Sequence, residues 1–220
     1  MIRQYSAVKS DMLMENSLII NIGRQFGSGG LLVARALGDK LDIPVYDHEL
    51  IEKAAEESGF SRDLFAKNDE KRSVLSLTGY FDTSRFGQAD NYLGDNQLFT
   101  LQSHVIRTIA ESGPAIFIGR CSDYVLRDMD CLDVFITSPK EVRVRRVAER
   151  MGISPEEAAS LIKKKDRTRE NYYNYYTFGH WGVASNYDLC VDSSILGIDG
   201  TADLIIDFGR RTGLIKGDMR

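Results

Sequence analysis

Cysteine is scarce in this sequence. The three among its 220 residues, Cys121, Cys131 and Cys190, are scattered and form no CxxC pair, so a structural zinc site does not fit and a reducing compartment does. No apolar run approaches the roughly 20 residues that cross a bilayer. The opening stretch MIRQYSAVKSDMLMENS lacks the apolar centre of an export signal. Residues 1–16 therefore read as a polar extension, and the expected setting is cytoplasmic with no membrane partner. Positive charge is not in excess either: 28 Lys and Arg stand against 32 Asp and Glu, a net charge of -4. General nucleic-acid binding usually leaves a basic footprint, so it is not expected. Histidine is rare, and His48 belongs to no metal-binding cluster. The last absence is local: no lysine follows the glycine cluster GSGG at residues 27–30.

What is present is an ordinary globular composition, 43% hydrophobic and 27% charged, long enough for one domain or one domain with an insert. The charge is unevenly spread. From Lys140 to Glu170, ten Lys or Arg face six Asp or Glu, an excess of four that points to a local anionic ligand. Five short apolar runs predict strands: SLIINI at 17–22, IPVYD, AIFIG, CLDVFIT and YDLCVDSS. Helical patterns separate them. Leu31, Ala34, Leu37 and Leu41 recur at helical spacing, and HELIEKAAEES, LFTLQSHVIRTIAESG and TADLIIDFGRR read as helices. Two capping boxes, Ser138-Pro-Lys-Glu141 and Ser154-Pro-Glu-Glu157, each predict a helix start with proline at its first position. Ser61 is a further candidate cap. Residues 69–95 are polar without a clear period and are expected to be irregular. Strands alternating with helices predict an α/β fold, a parallel sheet with helices on both faces.

The stretch IINIGRQFGSGGLLVARAL joins a buried strand to a helix through glycines, as a phosphate-binding loop does. A plain tight turn would need fewer glycines. A dinucleotide reading has some support, because Asp47 lies about 18 residues after Gly29, but the third glycine of that fingerprint would fall on Leu32.

Several motifs in order carry a resemblance: GRQFGSGG, IPVYDHELI, IFIGRCSDYVL, KKKDRTRENYY, and W-G-x(4)-YDL running into VDSS. Over residues 17–220 the chain resembles the cytidylate kinase-like proteins, relatives of the P-loop nucleoside monophosphate kinases. The resemblance implies a single domain built on a five-stranded parallel sheet, with an acceptor-binding insert over 60–95 and a lid over 163–182. It implies phosphoryl transfer from ATP, or another nucleoside triphosphate, to CMP or a similar small acceptor, with Mg²⁺ expected; the ligands of that metal and the oligomeric state are left open.

Gly27, Ser28, Gly29 and Gly30 would form the phosphate loop. Gly30 then stands where the loop lysine belongs and Leu32 where the metal-binding hydroxyl belongs. Arg24, just before the loop, or the lid cations would have to supply the lost charge. The alternative for Arg24 is an ion-paired surface residue. Asp47, at the end of the second strand, would orient the acceptor or hold hydrated Mg²⁺. Lys53 lies near the position of an arginine that grips the acceptor phosphate, although a solvated helix lysine reads the same way. Arg120 would face the acceptor, with Asp123 compensating for carboxylates replaced by Ile118 and Cys121. Lys165, Arg167 and Arg169 would close on the transferring phosphate from a helix end or loop. Tyr172 and Trp181 would stack on a base or sugar, or pack the lid on the core. The competing reading is a non-catalytic nucleotide sensor or partner-binding protein with a degenerate phosphate loop.

Overall fold

A computed structural model describes residues 18–57 and 92–216. The expected extension over 1–16, the Ser61 cap and most of the expected insert over 60–95 lie outside the described residues. Five strands, β1 (Ile19–Arg24), β2 (Val45–Tyr46), β3 (Ala115–Ile118), β4 (Cys131–Thr137) and β5 (Leu189–Asp192), form one parallel sheet in the order β2-β3-β1-β4-β5. Seven helices accompany them among the described residues: α1 (Gly30–Leu41), α2 (His48–Glu57), α3 (Tyr92–Ser112), α4 (Ser122–Val125), α5 (Lys140–Met151), α6 (Pro155–Thr177) and α7 (Ser193–Arg211).

The period-two alternation of β1 sends its side chains to two different cores. Ile20 and Ile22 pack with Val33 and Leu37 of α1 and Ile205 of α7 on one face. Ile19 packs on the other face with Ile51 of α2 and Leu101 and Ile106 of α3. Each such side chain contributes about 1.5–3 kcal/mol when fully buried, and this fixes the central strand between both layers. Because every strand runs the same way, all their C-terminal ends open on one edge, where ligands gather in open α/β sheets.

The structure differs from the sequence expectation in three places. Helix α3 already begins at Tyr92, so the last residues of the stretch expected to be irregular are helical. The capping box at Ser154 forms as expected, with Ser154 accepting from the Glu157 N–H and Glu157 accepting from the Ser154 N–H. The one at Ser138 does not, because Pro139 takes the cap position and Ser138 is buried before it. Finally, the basic run KKKDRTR is neither a helix end nor a loop. It lies inside the 23-residue α6, which no glycine or proline interrupts and whose Tyr176 stacks on Phe99 of α3 at 4.0 Å.

Candidate functional site

The glycine loop is held from three sides. Gln25 donates its N–H to the Ile136 carbonyl at 3.0 Å, and its side chain accepts from the Thr137 hydroxyl at 2.6 Å. Gly27 and Gly29 have φ of 82° and 83°, a region that favours glycine. A Cβ at Gly27 would come within 2.9 Å of Val147 in α5, and one at Gly29 within 2.8 Å of Ile198 in α7. The Ser28 carbonyl accepts from Arg146 at 3.1 Å and from the Ser193 hydroxyl. Helix α1 then starts at Gly30. Its first N–H groups have no partner inside the helix, and its dipole favours an anion there.

Helix α6 is fastened to the same loop. Asp166 accepts the Phe26 N–H at 2.7 Å and pairs with Arg143 at 2.6 Å. Arg169 donates to the Arg24 carbonyl at 3.1 Å, with its guanidinium 5.4 Å from the Phe26 ring centre. These contacts place one face of α6 over the C-terminal edge of the sheet.

A cavity of about 250 Å³ lies beneath that face. Arg24, Arg120, Lys165 and Arg169 line it with His48, and Asp123, Tyr172, Tyr173, Trp181 and Tyr187 complete the polar and aromatic wall. Lys165 and Arg169 are four residues apart on α6 and so share a helical face. Arg120 follows β3 in a left-handed turn, with φ of 71°, 58° and 55° at Gly119, Arg120 and Cys121. Two consecutive non-glycine residues in this region cost on the order of 1–3 kcal/mol each, a strain of the kind that collects at ligand sites. Its guanidinium pairs with Glu52 at 2.7 Å and lies 5.6 Å from the Tyr172 ring centre.

The electrostatics follow from crowded positive charge. Burial, then Arg169 and Arg120, hold the Arg24 guanidinium well below the usual arginine range, while Asp47 opposes them. Burial lowers Arg169 to about 10. Burial and Arg120 likewise push His48 down, towards the neutral imidazole. Burial also raises the Asp123 carboxyl, and the Tyr173 hydroxyl donates to it at 2.8 Å. The cavity thus joins cations suited to an anion with hydrogen-bonding and aromatic groups.

The residues singled out in the sequence divide accordingly. Arg24, Arg120, Asp123, Lys165, Arg169, Tyr172 and Trp181 meet in the cavity. Gly27, Ser28, Gly29 and Gly30 do not line it, although Gly23, Arg24 and Phe26 just before them do. Asp47 caps α2, its Oδ1 accepting from the N–H groups of Glu49 and Leu50 at 3.1 and 3.2 Å. Lys53 and Arg167 are exposed and do not line the cavity. Tyr172 lines the cavity and also packs on the core, meeting Phe99 of α3 edge-on at 6.3 Å. Sequence reasoning missed Glu52. Its only signal is an acidic residue beside Ile51 on the inward face of α2, which a helical period alone does not mark as functional.

Comparison with known proteins agrees with this fold. A cytidylate kinase of Methanopyrus kandleri is 28% identical over 86% of this chain and 91% of its own length. One from Methanothrix thermoacetophila is also 28% identical, over 86% of this chain and 96% of its own. Among solved structures, an uncharacterized protein from Eubacterium ventriosum superposes with a TM-score of 0.67 and 28% identity over 87% of this chain and 98% of that one. Shikimate kinase from Bacteroides thetaiotaomicron shares the fold, with a TM-score of 0.50 at 14% identity over 88% and 98% of the two chains. Residues 19–195 match the model of the cytidylate kinase-like family, and the chain belongs to that family.

Proposed function

We propose that the protein transfers a phosphoryl group from ATP to CMP or a similarly small phosphorylated acceptor. The convergence of Arg24, Arg120, Lys165 and Arg169 on one cavity at the strand ends carries this reading. Phosphoryl transfer asks a protein mainly to position two substrates and neutralise charge, and four cations around a small volume suit that task. In this reading the triphosphate lies along the glycine loop (Gly27 to Gly30) and the N-terminus of α1. Arg120, held by Glu52, grips the acceptor. Lys165 and Arg169 stabilise the phosphoryl group in flight, and Arg167 adds field from the outer face of α6. Asp123, Tyr172 and Trp181 contact the rest of the acceptor, and Lys53 guides it at the rim.

Among the described residues no three His, Cys, Asp or Glu side chains cluster as a metal site. Mg²⁺ is compatible with that, because it keeps several waters and takes phosphate oxygens plus one or two carboxylates. Asp123, which lines the cavity, and Asp47, at the start of α2, would supply such a partial shell. Bound there, the metal would neutralise phosphate charge.

A second reading, a nucleotide sensor without catalysis, has one observation in its favour: glycine stands at position 30, where catalysis normally uses lysine. The deciding experiment is transfer from radiolabelled ATP to a panel of nucleoside monophosphates and small phosphorylated metabolites with Mg²⁺, beside ATP binding by calorimetry. Transfer to an acceptor supports the kinase. Tight ATP binding without transfer to any acceptor supports the sensor.

A further inference from the structure

A phosphate loop of the usual pattern carries a lysine at the start of its helix, and that lysine reaches the β- and γ-phosphates. Here the space for any side chain at position 30 is already taken. A Cβ on Gly30 would lie 2.6 Å from the Arg24 Cβ and 3.0 Å from its Cγ. Those atoms are the base of the arginine side chain rather than its mobile tip, so neither residue can yield cheaply. At the other end, a Cβ on Gly119 would overlap the Arg24 guanidinium. Arg24 therefore lies across a groove bounded by two glycines, from the start of α1 to the turn after β3. Its guanidinium enters no ion pair among the described residues. Two further arginines, Arg120 and Arg169, act on it, with only Asp47 in opposition. Charge this crowded calls for an anionic ligand.

We propose that Arg24 is the phosphate-loop cation of this chain, replacing the helix-start lysine from the preceding strand, and that positions 30 and 119 are glycine to make room for it. The inference rests on the phosphotransferase reading. A guanidinium fork can hold two phosphate oxygens at once, which an ammonium cannot.

The test exchanges the two positions. Arg24→Gly empties the groove, Gly30→Lys installs the ordinary lysine, and the double variant does both; each is measured for ATP binding, AMP binding and single-turnover transfer. Arg24→Gly is expected to lose roughly 10²–10³-fold in transfer and to weaken ATP more than AMP. Gly30→Lys alone is expected to fail as badly, because its side chain collides with Arg24. The double variant is expected to recover at least about tenfold over Arg24→Gly. Arg24→Gly with ATP binding and transfer within about twofold of wild type overturns the proposal while leaving the kinase reading intact. A folded double variant no better than Arg24→Gly also overturns it. If wild type transfers to no acceptor, yet ATP affinity falls in Arg24→Gly and returns in the double variant, Arg24 keeps its role and the kinase reading falls. Should Arg24→Gly not fold, Arg24→Lys serves: weaker ATP binding supports the proposal and unchanged binding overturns it.

Discussion

Arg120 Nη2 lies 2.7 Å from Glu52 Oε1, and the two side chains are only 9% and 11% exposed. The pair joins the turn after β3 to α2, so the cation facing the cavity is held by a helix on the same face of the sheet. Removing one partner of a buried ion pair typically costs about 3–5 kcal/mol, because the other charge is left uncompensated. Glu52→Ala should therefore lower the melting temperature in anion-free buffer. Glu52→Gln keeps an acceptor oxygen but frees the charge of Arg120, so added pyrophosphate should stabilise it more than wild type. Thermal melts with and without pyrophosphate provide the measurement; equal ligand shifts in the two proteins would show that Glu52 does not compete with an anion for Arg120.

The two arginines of α6 make a paired comparison. Arg169 lines the cavity and touches the Arg24 carbonyl, whereas Arg167 is exposed on another face of the same helix. Arg169→Ala should lower single-turnover transfer by roughly 10²-fold with a smaller effect on ATP affinity, since a contact made mainly in the transition state acts on the chemical step. Arg167→Ala should change transfer by about tenfold or less, in a salt-dependent way, as expected of a charge acting through solvent. Parallel losses of binding and transfer in Arg169→Ala would assign it to ground-state binding instead.

The sheet itself carries a pH-dependent element. Burial raises the Asp133 carboxyl to about 6; the Asn21 amide opposes the shift with a 2.8 Å hydrogen bond, and Asp123 and Asp188 add to it. An unfolded aspartate titrates near about 3.9. Between these values the native state holds a proton that the unfolded chain has lost. This contribution to stability is complete below about pH 4 and is lost as pH rises through about 6. Asp133→Asn should remove the dependence while keeping a polar contact to Asn21. Wild type should thus lose on the order of 1–2 kcal/mol relative to the variant across that window, allowing for solvent screening. Urea unfolding at a series of pH values measures it, and a stability difference that stays flat from pH 4 to 6 would refute the assignment.

Much of the fold was written locally. Each apolar run became a strand, and those of β1 and β3 suit strands buried on both faces. The Ser154–Glu157 box started α6 because its two hydrogen bonds close within one turn. The glycines of the loop were equally legible, since positive φ at Gly27 and Gly29 is a backbone demand that the residue type declares. What sequence could not supply were relations between distant segments. Arg24 and Gly119 are far apart in the chain, and only the parallel pairing of β1 with β3 lays one against the other. Glu52 looks like any helical glutamate until α2 packs beside the turn that holds Arg120. The basic run looked unsuited to one helix because Arg167 and Arg169 do not share a face. Tertiary packing resolved it by facing Lys165 and Arg169 to the cavity and Arg167 to solvent, so one continuous helix carries charge to both settings.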